Sequence, residues 1–149
     1  MESSVAEKPA LSLLAFAIAS IVLPPLGARI EGQGGTAEAV MKGEPGQPDY
    51  LLILAEPQHD DDTWQNNLDW AKGLEIDGHK DFDLPTRREL NALRANAKDK
   101  FNDDWYWSNE PYGSDDAWYQ GFYDGTQNWY YQRGNDIRGC AVRRIPILR

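Results

Sequence analysis

The sequence has only one cysteine among 149 residues, and this scarcity excludes one class of protein at once. A lone Cys140 cannot form an intrachain disulfide, so the chain is not a small secreted domain stabilised by disulfides. Apolar residues alternate around Cys140, which predicts a strand with a small buried thiol. A nucleophilic thiol needs a nearby base. The two histidines, His59 and His79, both lie in acidic stretches, so catalysis by Cys140 is not expected.

Positive charge is also scarce: 15 Lys and Arg oppose 24 Asp and Glu, which gives a net charge of −9. Proteins that bind nucleic acid carry a basic surface, so no nucleic-acid partner is predicted. The basic residues are concentrated at the end, since residues 133–149 hold five Arg against one Asp. This tail either binds an anionic ligand or pairs with acidic side chains inside the fold or at a subunit contact. We expect the second.

Long apolar runs are absent too. The longest, residues 10–23, is shorter than the roughly 20 residues that a membrane-spanning helix needs, so membrane insertion is not predicted. Its length suits a signal peptide, but Glu2, Glu7 and a single lysine, Lys8, replace the usual positive start. We therefore expect residues 1–32 to be an oligomerisation or docking segment and residues 33–149 to be one domain. A signal peptide over residues 1–23 is the alternative.

Periodicity in the first half of the domain predicts a strand and a helix. The apolar residues 49–55 are typical of a buried strand. The acidic residues 58–62 are expected to be a solvated loop. Asp62 or Thr63 would then cap a helix that reaches about Glu75.

A second helix start is visible in the spacing of Thr86 and Glu89, which matches a capping box directly after Pro85. An apolar stripe on this helix should face the core, formed by Leu90, Leu93 and Ala97. Strands are predicted at residues 105–109, on either side of a turn at Asp124 and Gly125, and at residues 140–148. Two helices followed by a strand-rich half indicate the α+β class.

Four motifs occur in an order that resembles one known family. They are DFDLPTRREL (81–90), YWSNE (106–110), AWYQGFYDG (117–125) and GCAVRRI (139–145). Together they resemble the Lcl C-terminal-type domain family, whose pattern is W-x-LPT-x-x-EL…YWSS…AVR, over about residues 27–147. Phe82 replaces the Trp of that pattern and Asn109 replaces its second Ser. The residues that match are Leu84, Pro85, Thr86, Glu89, Leu90, Tyr106, Trp107, Ser108, Ala141, Val142 and Arg143.

The resemblance implies a C-type-lectin-like fold with two helices and a twisted antiparallel sheet, preceded here by the apolar N-terminal segment. The family occurs in bacterial adhesins and phage virion proteins. Sugar-binding C-type lectins use calcium with an acid-Pro-Asn loop and a Trp-Asn-Asp strand, whereas this chain has Glu110, Pro111 and Tyr112. No cofactor is therefore predicted. The carboxylates that would hold calcium, if it bound, are Asp103, Asp104, Asp115 and Asp116.

Aromatic residues are abundant, with six Trp and seven Tyr. Mixed with Asn and Gly, they are typical of binding surfaces that combine rigid anchors with adaptable hydrogen bonding. In the fold that the resemblance implies, the last loops gather on one face. The candidate ligand-binding residues are Trp118, Tyr119, Tyr123, Asn128, Trp129, Tyr131, Arg133 and Asn135, and the neighbouring Tyr130 and Gln132 belong to the same stretch. The alternative is that alternate residues of 128–132 lie in the core, because side chains of a strand alternate.

The resemblance favours a non-enzymatic phage virion protein, a receptor-binding module of a tail fibre or tail tip. It would be a homotrimer, assembled in the host cytoplasm, that contacts other virion subunits and a host receptor or glycan. The alternative is a structural capsid decoration or tail-assembly protein. A glycan hydrolase with paired carboxylates is a third hypothesis, but no pair lies in a recognisable catalytic arrangement.

Overall fold

The computed structural model describes residues 23–132 and 134–148, which form two helices and mostly antiparallel strands. The predicted α+β class is confirmed. Most of the predicted N-terminal segment, residues 1–22, lies outside this range. The elements are β1 (Arg29–Ile30), β2 (Gly35–Met41), β3 (Tyr50–Leu54), β4 (His59–Asp62), α1 (Trp64–Lys72), α2 (Arg87–Ala97), a 3-10 turn (Lys98–Lys100), β5 (Trp105–Tyr112), β6 (Asp116–Gly121), β7 (Gln127–Tyr131), β8 (Ile137–Gly139) and β9 (Val142–Pro146).

The strands form two sheets rather than the single sheet expected, in the orders β1-β2-β3-β9 and β4-β8-β5-β6-β7. The chain changes sheets between β8 and β9, at Cys140 and Ala141. The Ala141 carbonyl accepts a hydrogen bond from the Ala55 amide at 2.9 Å, which ties this crossing to the end of β3. A strand that changes sheets in this way forms a corner between two packed layers.

Strand β3 lies at the centre of the first sheet, and its residues 51–54 are buried, so the predicted buried strand is confirmed. Leu52 and Leu54 pack in one core cluster with Leu90 and Leu93 of α2. The alternate residues Leu51 and Ile53 belong to another cluster. Both faces of the strand are therefore covered, which explains its continuous apolar sequence.

The prediction of a solvated loop at residues 58–62 is wrong, because His59–Asp62 form β4. This strand pairs with β8 in the register His59↔Gly139 and Asp62↔Ile137. It is an edge strand, so Asp60 and Asp61 point into solvent while the backbone still pairs. The His59 ring stacks on Trp70, with 5.2 Å between ring centroids.

The helix caps follow the sequence closely. Thr63 caps α1, and the capping box of Thr86 and Glu89 is complete, so both predictions are confirmed. The stripe Leu90, Leu93 and Ala97 is buried as expected. Helix α1 ends at Lys72 rather than near Glu75, because the chain turns at Gly73. No helix of residues 23–132 and 134–148 is long and apolar enough to span a membrane.

The basic end of the chain pairs inside the fold, as predicted for the residues that the structure describes. Arg143 Nε donates to Asp81 at 2.6 Å, and Arg144 binds the carboxylate of Glu89. Arg138 lies 3.4 Å from Asp60. Cys140 is fully buried, and burial raises the pKa of its thiol well above the usual range, which confirms the expected apolar role. The predicted turn between β6 and β7 is also present, with Gly125 at φ 82°.

Candidate ligand-binding surface

The register of β5, β6 and β7 divides the predicted ligand-binding residues between two opposite faces of one sheet. Trp118 is paired with Trp129, and Tyr119 is paired with Asn128. Directly paired residues share a face, whereas successive residues alternate. We name the side with Tyr112, Trp118, Trp129 and Tyr131 face A, and the side with Trp105, Tyr119, Asn128 and Tyr130 face B.

Face A is a packed aromatic cluster. The rings of Tyr112 and Trp129 stack with centroids 4.2 Å apart, and Trp118 meets both rings nearly at right angles. The Arg87 guanidinium lies 3.5 Å from the centroid of Trp118, where the ring quadrupole attracts a cation. Arg87 Nε donates to Gln127 Oε1 at 3.0 Å, which fixes the guanidinium in place. Tyr112 and Trp129 remain 42% and 43% exposed, so the cluster presents a rigid surface to solvent.

Face B carries a second aromatic cluster. Trp105 stacks on Tyr119 with centroids 4.5 Å apart, and Tyr130 meets Trp105 edge-on at 5.6 Å. Tyr119 is nearly buried, and this burial, together with the nearby Tyr130 and Asp124, raises the pKa of its hydroxyl. Trp105 and Tyr130 are 45% and 41% exposed. Face B therefore offers two accessible rings supported by a buried one.

Strand β7 lies at the edge of its sheet, and residues 128–131 are all exposed. The alternation considered from the sequence is real, but it separates two exposed faces rather than a core from a surface. Tyr119, on the neighbouring strand, is the candidate that belongs to the core.

The remaining candidates lie at the margins of these faces. Tyr123 is 76% exposed in the β6–β7 turn. Asn128 Oδ1 accepts a hydrogen bond from the Trp129 amide at 2.9 Å, and Asn135 Nδ2 donates to the Tyr131 carbonyl at 3.3 Å. These two amides thus bind backbone groups of β7. Arg133 lies outside the described residues.

Sequence reasoning missed three members of these clusters: Arg87, Trp105 and Tyr112. Arg87 lies in the motif that predicts the start of α2, and Tyr112 lies beyond the strand predicted at residues 105–109. Tyr112 reaches its place opposite Asp116 through a register shift in the β5–β6 ladder between Trp107 and Pro111. No local pattern reveals that shift, so the sequence alone could not place Tyr112 beside Trp129.

A cleft of about 550 Å³ lies beside face A, at the start of α2. Its polar floor is a buried network in which Tyr50 Oη donates to Glu89 Oε2 at 2.5 Å and Arg144 binds both Glu89 oxygens at 2.7 and 2.8 Å. The cleft is lined by Gly43, Glu44, Gln47, Pro48, Tyr50, Thr86, Arg88, Glu110, Arg144 and Pro146.

Burial alone would raise the pKa of Glu89, but the hydrogen bonds and charge of Arg144 hold it below its ordinary value. Burial, the hydrogen bond to Glu89 and its charge raise the pKa of Tyr50 well above its usual range. Burial is the largest influence on both groups, and the charged partners that act on them, Arg144 and Glu89, lie inside the fold. Contacts within the fold therefore explain the shifted pKa values of Glu89 and Tyr50.

The four aspartates considered for calcium do not converge. Asp103 and Asp104 precede β5, whereas Asp115 and Asp116 lie at its far end, beside Tyr112. The eight residues of β5 separate the two pairs by roughly 20 Å. Within residues 23–132 and 134–148, no group of three or more His, Cys, Asp or Glu side chains is placed to hold a metal ion.

Comparison with models of known protein families finds no match to this chain, and comparison with curated proteins finds none either.

Proposed function

We propose that the chain is a non-enzymatic receptor-binding module of a phage virion, built on a C-type-lectin-like domain. The proposal for the fold and the particle rests on the order of the four sequence motifs. Their positions in the structure are compatible with scaffold roles, since Leu84, Trp107 and Val142 are fully buried. In this proposal the motif residues stabilise the core, and exposed side chains on its surface contact the receptor.

One observation carries the binding role, namely the exposed and preorganised aromatic cluster of face A. Tyr112 and Trp129 are already stacked, and Trp118 is held under Arg87. A surface that is ordered before binding loses little conformational entropy when a ligand arrives. Aromatic rings also provide large contact area with few rotatable bonds. Face A therefore suits a receptor with flat apolar surfaces, such as a sugar ring or an aliphatic side chain.

The pairing of the buried Glu89 carboxylate beneath the neighbouring cleft supports a role without catalysis. A general acid or base needs a carboxyl group that can reach a substrate and exchange a proton. Glu89 is fully buried and is engaged by Arg144, Tyr50 and the Thr86 amide. In this proposal the cleft is a structural feature beside face A and does not take part in a reaction.

The experiment that tests the receptor role is a pair of titrations with labelled protein, one on intact host cells and one on particles stripped of the protein. The double variant Trp129→Ala/Tyr131→Ala removes two exposed rings of face A. Tyr130→Ala is the matched control, because Tyr130 is equally exposed on the same strand but belongs to face B. We expect saturable binding to cells that the double variant loses and the control retains. Cell binding that survives the double variant would contradict the proposal.

A structural decoration or tail-assembly role is the second candidate, and the position of β7 favours it. This edge strand exposes aromatic rings on both faces. Edge strands are sites where another chain can pair or pack. Uptake by stripped particles alone, without binding to cells, would support this role and contradict the first.

A further inference from the structure

We propose that face B, together with the acidic cavity beside it, is a docking surface for a basic polypeptide segment whose arginine or lysine side chain lies on the Trp105 ring. This surface is on the opposite side of the sheet from the proposed receptor surface. It therefore assigns a second partner to the module, one that is defined by positive charge.

The first observation is the cavity that lies against Trp105. It has a volume of about 170 Å³ and is lined by the indole ring, by Ile137 and by four aspartates: Asp61, Asp103, Asp104 and Asp136. A fifth carboxylate, that of Asp124, lies near the same ring. A Cβ atom at Gly121 would lie 3.1 Å from Asp124 Oδ1 and 3.3 Å from Trp105 Cδ1, so both groups flank the same point.

The second observation is that part of this negative charge is not compensated within the fold, although Arg138 interacts electrostatically with Asp104 and Arg94 with Asp124. Asp103 pairs with Lys98 at 3.0 Å, and Arg138 lies 3.4 Å from Asp60 on the neighbouring strand. In the part of the chain that the structure describes, Asp61 and Asp136 form no ion pair within 4 Å. Like charges that are grouped around a cavity attract a cation and raise its local concentration.

The third observation is a contrast between the two faces. On face A the chain supplies its own cation, since Arg87 lies over Trp118. On face B, no arginine or lysine of the described residues lies over Trp105, although the ring is 45% exposed and surrounded by carboxylates. An indole is the strongest aromatic partner for a cation, and a guanidinium can stack on it while it donates to carboxylates. Among residues 23–132 and 134–148, face B thus has the aromatic and acidic parts of such a site without a cation on the indole ring.

A basic side chain fits this surface better than a metal ion. The aspartates around the cavity are too dispersed for any three of them to form a metal site in the described residues. The surface also continues over the exposed ring of Tyr130, which gives apolar contact area that a metal ion would not use. A polypeptide segment would use both, with its cation at Trp105 and its backbone along Tyr130.

The test is a calorimetric titration of the full chain with a short peptide of alternating glycine and arginine. A peptide in which citrulline replaces arginine is the neutral control, because it keeps the shape and loses the charge. Both titrations contain a chelator. We expect the arginine peptide to bind and the citrulline peptide to bind at least about tenfold more weakly, with affinity that falls as salt rises. Equal binding of the two peptides would overturn the proposal.

Two variants locate the site without disturbing the core. Asp61→Asn/Asp136→Asn removes two exposed charges, and we expect Kd for the arginine peptide to rise about fivefold to tenfold. Glu31→Gln/Asp115→Asn removes the same charge at exposed positions elsewhere and should change Kd less than about twofold. An equal effect of both pairs would mean that only net charge matters and would overturn the site.

Trp105→Leu tests the ring itself, because leucine keeps apolar bulk and removes the π-face. We expect about a fivefold rise in Kd. An unchanged Kd in a variant with the wild-type thermal transition would rule out the assigned role of Trp105. The double variant Trp129→Ala/Tyr131→Ala should leave this titration unchanged, so failure here and failure of the receptor proposal are separate results.

Discussion

Glu89 shows how one side chain can be both a helix cap and the centre of a buried ionic network. Its Oε1 accepts the Thr86 amide at 2.8 Å, which completes the capping box of α2. The same carboxylate binds Arg144 through two hydrogen bonds and accepts a third from Tyr50. A fully buried carboxylate is tolerated only when such partners replace water. The helix start, β3 and β9 are thereby joined at one residue.

Removal of Arg144 should therefore destabilise the fold strongly. Arg144→Met keeps much of the side-chain volume but leaves the buried Glu89 carboxylate without its cation, and it leaves Asp83 with Lys72 alone. We expect the free energy of unfolding to fall by about 3–5 kcal/mol, measured by urea denaturation at neutral pH. Arg88→Met is the control, because Arg88 pairs with Glu44 at 3.6 Å where both side chains are exposed. That change should cost less than about 1 kcal/mol. Similar losses in the two variants would contradict the role given to the network.

At the scale of the element, β7 is an edge strand whose aromatic side chains contribute to surfaces more than to the core. Gln127 is held by Arg87 on one side, while Asn128 and Asn135 bind backbone groups along the strand. Groups bonded in this way are less available for pairing with another chain, which is one way in which proteins limit association through edge strands. Partners should accordingly meet the side-chain faces of β7.

The Trp129→Ala/Tyr131→Ala variant should still fold and should unfold in one cooperative transition at a lowered temperature. Both rings are 43% exposed, so truncation removes only part of a buried contact, and we expect a loss of about 1–2 kcal/mol per ring at most. Trp107→Ala is the contrasting variant, since Trp107 is fully buried and its Nε1 donates to the Asp62 carbonyl. It should lose about 3–5 kcal/mol. Thermal unfolding followed by circular dichroism checks both, and a collapse of the double variant would place these rings in the core.

The elements that local chemistry specifies were predictable from the sequence. The capping box at Thr86, the cap at Thr63 and the buried strand β3 each depend on a few neighbouring residues. Strand β4 was not predictable, because its acidic residues are compatible with a strand only through pairing with β8, more than 70 residues away in sequence. The division of the aromatic residues into two faces follows from the alternation of side chains along each strand, whereas the neighbours of Tyr112 depend on the β5–β6 register shift.

At the scale of the whole molecule, the two aromatic faces lie on opposite sides of one sheet, and each continues a different part of the core. Tyr106 belongs to the cluster that α2 covers, whereas Trp107, the next residue, belongs to the cluster that α1 covers. Face A lies on the same side of the sheet as the core cluster that α2 covers. Face B lies on the same side as the core cluster that α1 covers. A module built in this way can bind one partner on each side at the same time. A receptor and a basic partner would then meet the same rigid sheet without competition.

Assembly of several copies should raise the apparent affinity for host cells. A single copy with modest affinity binds more tightly when linked copies bind the same cell together. We expect the full chain to be a trimer that depends on residues 10–23, since an apolar sequence of that length favours association in water. Deletion of residues 1–22 should yield a soluble monomer in sedimentation velocity, with the thermal transition of residues 23–149 retained. The monomer should also bind host cells much more weakly, while its affinity for the arginine peptide stays within about twofold, because that titration reports a single site. A deletion variant that remains trimeric would show that the contact lies in the folded domain. The exposed edge strand β7 would then be the first surface to mutate.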